Sequence, residues 1–166
     1  HKKDLVAGAV QAPRLDLYAL WPAMTGYTNA DRDAFNNRGH DRRIVFLSVE
    51  QRQMSRDMSG RLEPIYRRLI ELPGAPGPEG LRRYEFSRGT GYVDEVLMVG
   101  QQPGRQSFVA RCLTGPAAAE SLAGCERDVH FGDGLSLTYR FPEELLGSWM
   151  SLDAAVTAKL AEMLKG

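Results

Sequence analysis

The chain has 166 residues, 43% of them hydrophobic, with 21 lysines and arginines balanced by 21 aspartates and glutamates. That length is enough to bury a real core, and it predicts one domain. Zero net charge gives no global field toward nucleic acid or an anionic membrane, and no apolar run reaches the ~18 residues of a bilayer span.

Of the 21 cations, 17 are arginine and four are lysine, and alanine and glycine are abundant, a skew that points to a GC-rich, bacterial genome. Charge is unevenly spread along the chain. Arg38 to Arg88 holds eleven arginines against seven acids, whereas Glu120 to Gly166 holds eight acids against four bases. The start at His1-Lys2-Lys3, without methionine, leads us to expect a signal peptide or membrane anchor upstream.

Residues 1–13 are weakly patterned and read as a flexible lead-in or linker, leaving 14–166 as the single domain. Arg14 to Leu20 alternates as a first strand with Leu15, Leu17 and Ala19 on one face, ended by Trp21-Pro22. Asn29, Asp31 and Asp33 suit the start of a short helix over Thr28 to Asn37. Arg43 to Val49 is the most continuous apolar run, which predicts a central strand covered on both faces. Glu50 to Gly60 lacks a period and reads as an exposed loop or edge.

Leu62 to Leu72 fits either period; with Leu62, Tyr66 and Ile70 all even-numbered, we read it as a strand interrupted by Pro64. Three prolines and three glycines make Pro73 to Gly80 a loop. Strands then follow over Leu81–Ser87, Tyr92–Val99 and Gln106–Leu113, joined by turns too short for parallel crossovers. Beyond the next loop, Glu126–Phe131 and Leu135–Phe141 pair about Gly132-Asp133-Gly134. The second of these puts Leu135, Leu137, Tyr139 and Phe141 on one face, and Ser136, Thr138 and Arg140 on the other. Pro142 to Leu146 is a short helical turn, and Ser151 caps a final helix over Leu152–Lys165 that packs on the sheet. The expected fold is α+β: a mainly antiparallel sheet of about six or seven strands, a short helix in the first third and a C-terminal helix on one face.

Cys112 closes one predicted strand and Cys125 opens the next, so the two thiols can face each other across the connecting loop. We expect a Cys112–Cys125 disulfide and therefore an oxidising compartment.

Recognisable chemistry is sparse. His1, His40 and His130 show no metal-ligand spacing, and neither a metal nor a cofactor is expected. No Gly-x-Ser-x-Gly is present, although Ser87, His130 and Asp128 or Asp133 form a candidate nucleophilic set. Arg88 to Tyr92 lacks the lysine and full glycine pattern of a phosphate loop. Trp21 and Trp149 are candidate partner anchors, as are Arg67, Arg68, Arg82 and Arg83 within the arginine-rich stretch. These features predict a non-enzymatic binding or scaffolding domain of the bacterial periplasm or envelope, the soluble part of an anchored protein, with another envelope protein as partner. The alternatives are an envelope hydrolase built on His130, and an inhibitor or immunity-type protein whose arginine-rich face blocks an acidic partner.

Overall fold

The computed structural model describes residues 14–25, 43–51, 57–132 and 134–165. The expected lead-in 1–13 and helix 28–37, together with His1, His40 and Asp133, lie outside them.

One antiparallel sheet carries the fold. Its strands are β1 (Arg14–Leu20), β2 (Ile44–Gln51), β3 (Ala75–Pro76), β4 (Arg82–Glu85), β5 (Glu95–Gly100), β6 (Phe108–Leu113), β7 (Cys125–Phe131) and β8 (Leu135–Phe141). Their spatial order is β1-β2-β8-β7-β6-β5-β4-β3. The helices are α1 (Met58–Arg61), α2 (Gly115–Ala119) and α3 (Trp149–Lys165). The fold is α+β as expected, with eight strands instead of six or seven. The extra one, β3, is a two-residue edge inside the proline-rich loop, where Pro76 needs no ladder donor.

The main core lies between one sheet face and α3. Leu137, Tyr139 and Phe141 of β8 and Phe108 and Ala110 of β6 meet Leu152, Val156 and Leu160 of α3, all fully or nearly fully buried. α3 begins at Trp149, two residues before the expected Ser151 cap, because a 3-10 turn over Glu143–Ser148 runs straight into it and the Leu146 carbonyl accepts the Trp149 N–H. A side chain at Gly100 would place its Cβ 2.7 Å from the Trp149 ring, so β5 admits the indole only because residue 100 is glycine.

A second, smaller core covers the opposite face of β4, β5 and β6. Met58, Leu62, Tyr66 and Ile70 pack there on Tyr84, Leu97, Val99 and Val109. Leu62–Leu72 is thus not a strand: its buried residues recur every fourth position, the spacing of a helical face. Pro64 lacks the N–H of a regular helix, so the segment breaks into turns and a 3-10 piece at Tyr66–Arg68, and Ile70 forms one isolated bridge with Phe86. Met58 is fully buried, so the end of the expected Glu50–Gly60 loop belongs to the core. The reading of β2 also changes. Val45, Leu47 and Val49 are buried, but Phe46 and Ser48 on its other face are only half-buried.

β6 and β7 are joined at two register pairs, Arg111↔Glu126 and Cys112↔Cys125. The cysteines stand directly opposite each other with Cα atoms 4.0 Å apart, and they form the expected disulfide. Beyond this junction α1 fills the gap between the strands. Asp57 Oδ2 accepts the His130 backbone N–H, Ser59 Oγ donates to the Ser107 carbonyl, and Arg61 pairs with Asp128 at 3.0 Å. Arg127 occupies the gap from the other side. Its Nη1 donates to the Val109 carbonyl at 3.1 Å and to Ser59 Oγ, while its Nε donates to Asp153 Oδ1 of α3 at 3.0 Å. The Tyr139 hydroxyl donates to the same carboxylate oxygen at 2.6 Å. Burial acts to lower the Arg127 pKa, and Asp153, with Tyr139 and Asp57 adding to it, more than offsets this. Burial pushes the Tyr139 phenol well above its ordinary value, with Asp153 adding to the effect.

Two outcomes follow from this junction. The Cys112→Ala/Cys125→Ala double variant should lose about 3 kcal/mol of unfolding free energy, the chain entropy released on opening a loop of this length, read from urea melts. Tyr139 keeps its proton when folded, whereas its unfolded form ionises near pH 10, so stability should fall as pH rises beyond about 10. That alkaline decline should be shallower in Tyr139→Phe; coincident slopes would mean that the buried phenol does not set it.

Candidate functional site

Among the described residues, no helix covers one part of the sheet. On β1, β2 and β8 the face opposite α3 carries Asp16 and Tyr18, Phe46 and Ser48, and Thr138 and Arg140. The register lines these up in rows. One row runs Tyr18, Phe46, Arg140, Glu126 and Arg111 across five strands, each residue directly opposite the next. Directly opposed side chains on one face lie about 5 Å apart and interact. The Tyr18 and Phe46 rings meet edge-on at 5.2 Å, and the Arg140 guanidinium lies 5.1 Å from the Phe46 centroid. Tyr18 is 50% exposed and Arg140 is also exposed, so aromatic and cationic groups meet solvent together.

The row is anchored at its inner end. Arg111 lies between Glu95 and Glu126, 3.3 Å from each, and sits over the Tyr92 ring at 5.2 Å. Its Nε is close to Glu95 but lacks the alignment of a hydrogen bond. Burial accordingly pushes Glu95 above the usual carboxylate range, and Arg111 only partly offsets this. At the outer end, the hydrogen bond from Arg14, helped by Ser48, holds the Asp16 carboxyl below its usual range. Two grooves flank Arg140. One is floored by β1, β2 and β8, and the other lies between Phe46, Arg140 and the Ala119–Ala123 segment of the disulfide-closed loop.

Among the described residues, Ser87 is not brought together with His130 and Asp128. Asp128 and His130 share one face of β7, but Asp128 is held by Arg61, and His130 is exposed opposite Ser136. Ser136 is itself buried. Ser87 follows β4, three strand spacings from β7, about 14 Å away. Its backbone N–H donates to the Leu69 carbonyl.

The expected partner anchors are also dispersed. Trp149 is 2% exposed, its Nε1 donates to the Glu79 carbonyl at 2.9 Å, and its ring packs on Phe108, so it is a core residue and not a surface anchor. Trp21 is half-buried against the main core. Arg67 pairs with Glu63 at 3.1 Å and Arg83 with Glu85 at 3.4 Å, while Arg82 donates to the Pro73 and Gly74 carbonyls. Arg68 is exposed. Arg82 and Arg83 are neighbours on a strand and point to opposite faces, so these arginines do not form one surface. The row that sequence reasoning missed was half visible in the alternation of β1 and β8. Phe46 was hidden by the apolar run around it.

No family model matches the chain, and no curated protein matches it in sequence. Among solved structures, Smlt3025, an immunity protein of the Stenotrophomonas maltophilia type IV secretion system, is similar in fold. The TM-score is 0.53 at 17% identity, and the match covers 89% of this chain and 80% of that one, a likeness of architecture alone.

Proposed function

We propose that this chain is a protein-binding domain of the inhibitor or immunity type, working outside the cytoplasm, and that it docks its partner on the open face of β1, β2 and β8. The observation that carries this reading is the row Tyr18–Phe46–Arg140, because exposed tyrosine and arginine side by side on a sheet face are the residue types that dominate interface energies. The architecture shared with an immunity protein supports the inhibitor class over a general scaffold. The disulfide supports an oxidising compartment. The open face takes the place of the arginine-rich stretch as docking surface, since Arg67 and Arg83 pair with nearby acids and Arg82 with backbone carbonyls.

Photocrosslinking from benzoylphenylalanine at position 18 or 140, in the envelope fraction of the native host, should trap a discrete protein adduct. The same group at the distant, exposed position 68 should not. A Tyr18→Ala/Arg140→Ala variant should bind the trapped protein about 30-fold more weakly with an unchanged thermal melt, as expected for loss of a central contact pair. Adducts from position 68 alone, or an affinity unmoved by the double variant, would sink the open face as the docking surface.

A further inference from the structure

The loop closed by the disulfide is part of the proposed docking face. Its Ala119–Ala123 segment lines the groove beside Arg140 as one wall, with Phe46 of β2 and Arg140 of β8 as the other. Backbone bonds give the loop its shape. The Ala118 N–H donates to the Thr114 carbonyl at 3.4 Å, the Glu120 N–H to the Pro116 carbonyl at 3.1 Å, the Ser121 N–H to the Ala118 carbonyl at 3.2 Å and the Ala123 N–H to Ser121 Oγ at 3.2 Å. Each of these bonds stays inside the loop, so where the wall stands depends on the loop's base.

At that base the Leu113 N–H donates to the Gly124 carbonyl at 2.9 Å, the Thr114 N–H donates to the Asp94 carbonyl at 2.8 Å, and Cys112 is bonded to Cys125, 13 positions further on. Sheet pairing adds little here, because the ladder between β6 and β7 is Arg111↔Glu126 and the cysteine pair itself. Holding the ends of a flexible loop together costs closure entropy, and the covalent bond offsets that cost. The bond is also shielded once the fold is complete: Cys112 is 3% exposed and Cys125 fully buried, both in the main core with the inner residues of α3. Exchange requires access to a sulfur, so the bond closes before α3 settles and persists afterwards.

We infer that oxidation of Cys112 and Cys125 switches docking on: the reduced chain builds its core but lacks a fixed Ala119–Ala123 wall, and it engages its partner only after the bond has formed. The step is an exchange in which the two thiols give up two electrons and two protons to a disulfide-carrying oxidant, which leaves as a dithiol. This rests on the docking face proposed above and adds its regulation. In reducing surroundings the same chain is inert toward its partner.

The test compares the oxidised chain with Cys112→Ala/Cys125→Ala and with wild type refolded in dithiothreitol. NMR order parameters of the Glu120 and Leu122 amides should drop from about 0.85 to below about 0.6 in both bond-free forms. NOEs between the Trp149 and Phe108 rings, 4.8 Å apart, should persist and show that the core is intact. Adducts trapped from benzoylphenylalanine at position 140, in the same envelope fraction, should fall about tenfold, as for a wall in place about a tenth of the time. Unchanged order parameters would overturn the inference, and so would loss of the Trp149–Phe108 NOEs, because the bond would then hold the whole fold and not the wall. Equal adduct yields with and without the bond would remove the switch and leave the inhibitor reading standing. Adducts from neither form, with the loop loosened as expected, would sink the docking face and leave the bond's hold on the loop.

Discussion

The sheet is continuous only because β6 and β7 stay together over two residue pairs. The strands on the β8 side of that seam, β1, β2 and β8, reach the rest of the sheet through β7. A ladder of two pairs is a weak joint in water. The disulfide makes one of the pairs covalent, and Arg127 supplies, from a side chain, the donor that the missing ladder would have given to the Val109 carbonyl. Such a buried guanidinium costs several kcal/mol in desolvation and persists only where partners surround it. Asp153, Ser59 and the Phe108 ring, at 4.7 Å, provide that enclosure. The network therefore ties α1, α3, β6 and β7 into one body at the place where the sheet is thinnest.

The seam also sets where the molecule can meet a partner. On its β4–β6 side both faces are covered, one by α3 and the other by the Met58–Ile70 segment. On its β1–β8 side the described residues cover a single face, and the other carries the aromatic and charged row. α1 stops at the seam, because Arg61 and Asp57 are held on β7 by Asp128 and the His130 N–H. Among the described residues, the second cover, Met58–Ile70, lies over β4, β5 and β6 alone.

Much of this architecture was legible in the residues. The alternation Leu135, Leu137, Tyr139, Phe141 fixed β8 and its inward face, and the position of the cysteines at strand ends foretold their bond. Two segments resisted for opposite reasons. In β2, Phe46 interrupts a polar–apolar alternation with another apolar group, so a one-sided strand resembles a fully buried one. In Leu62–Ile70, a spacing of four is also a multiple of two, and Pro64 disguised the helical face. The docking row was invisible for a different reason: Tyr18, Phe46 and Arg140 belong to three strands, and only the register of the folded sheet brings them side by side.

The lodging of Trp149 bears on how the protein reaches this state. Its indole needs a bare backbone at Gly100, and its Nε1–H finds its acceptor at Glu79, 70 residues earlier. The pocket for the ring therefore exists only once the centre of the sheet and the Pro78–Gly80 turn have formed, and the helix that carries Trp149 follows every described strand of the sheet in the chain. Until that helix docks, the apolar underside of the sheet stays wet, so the fold depends on a long-range closure, the kind of step that is slow and vulnerable to aggregation.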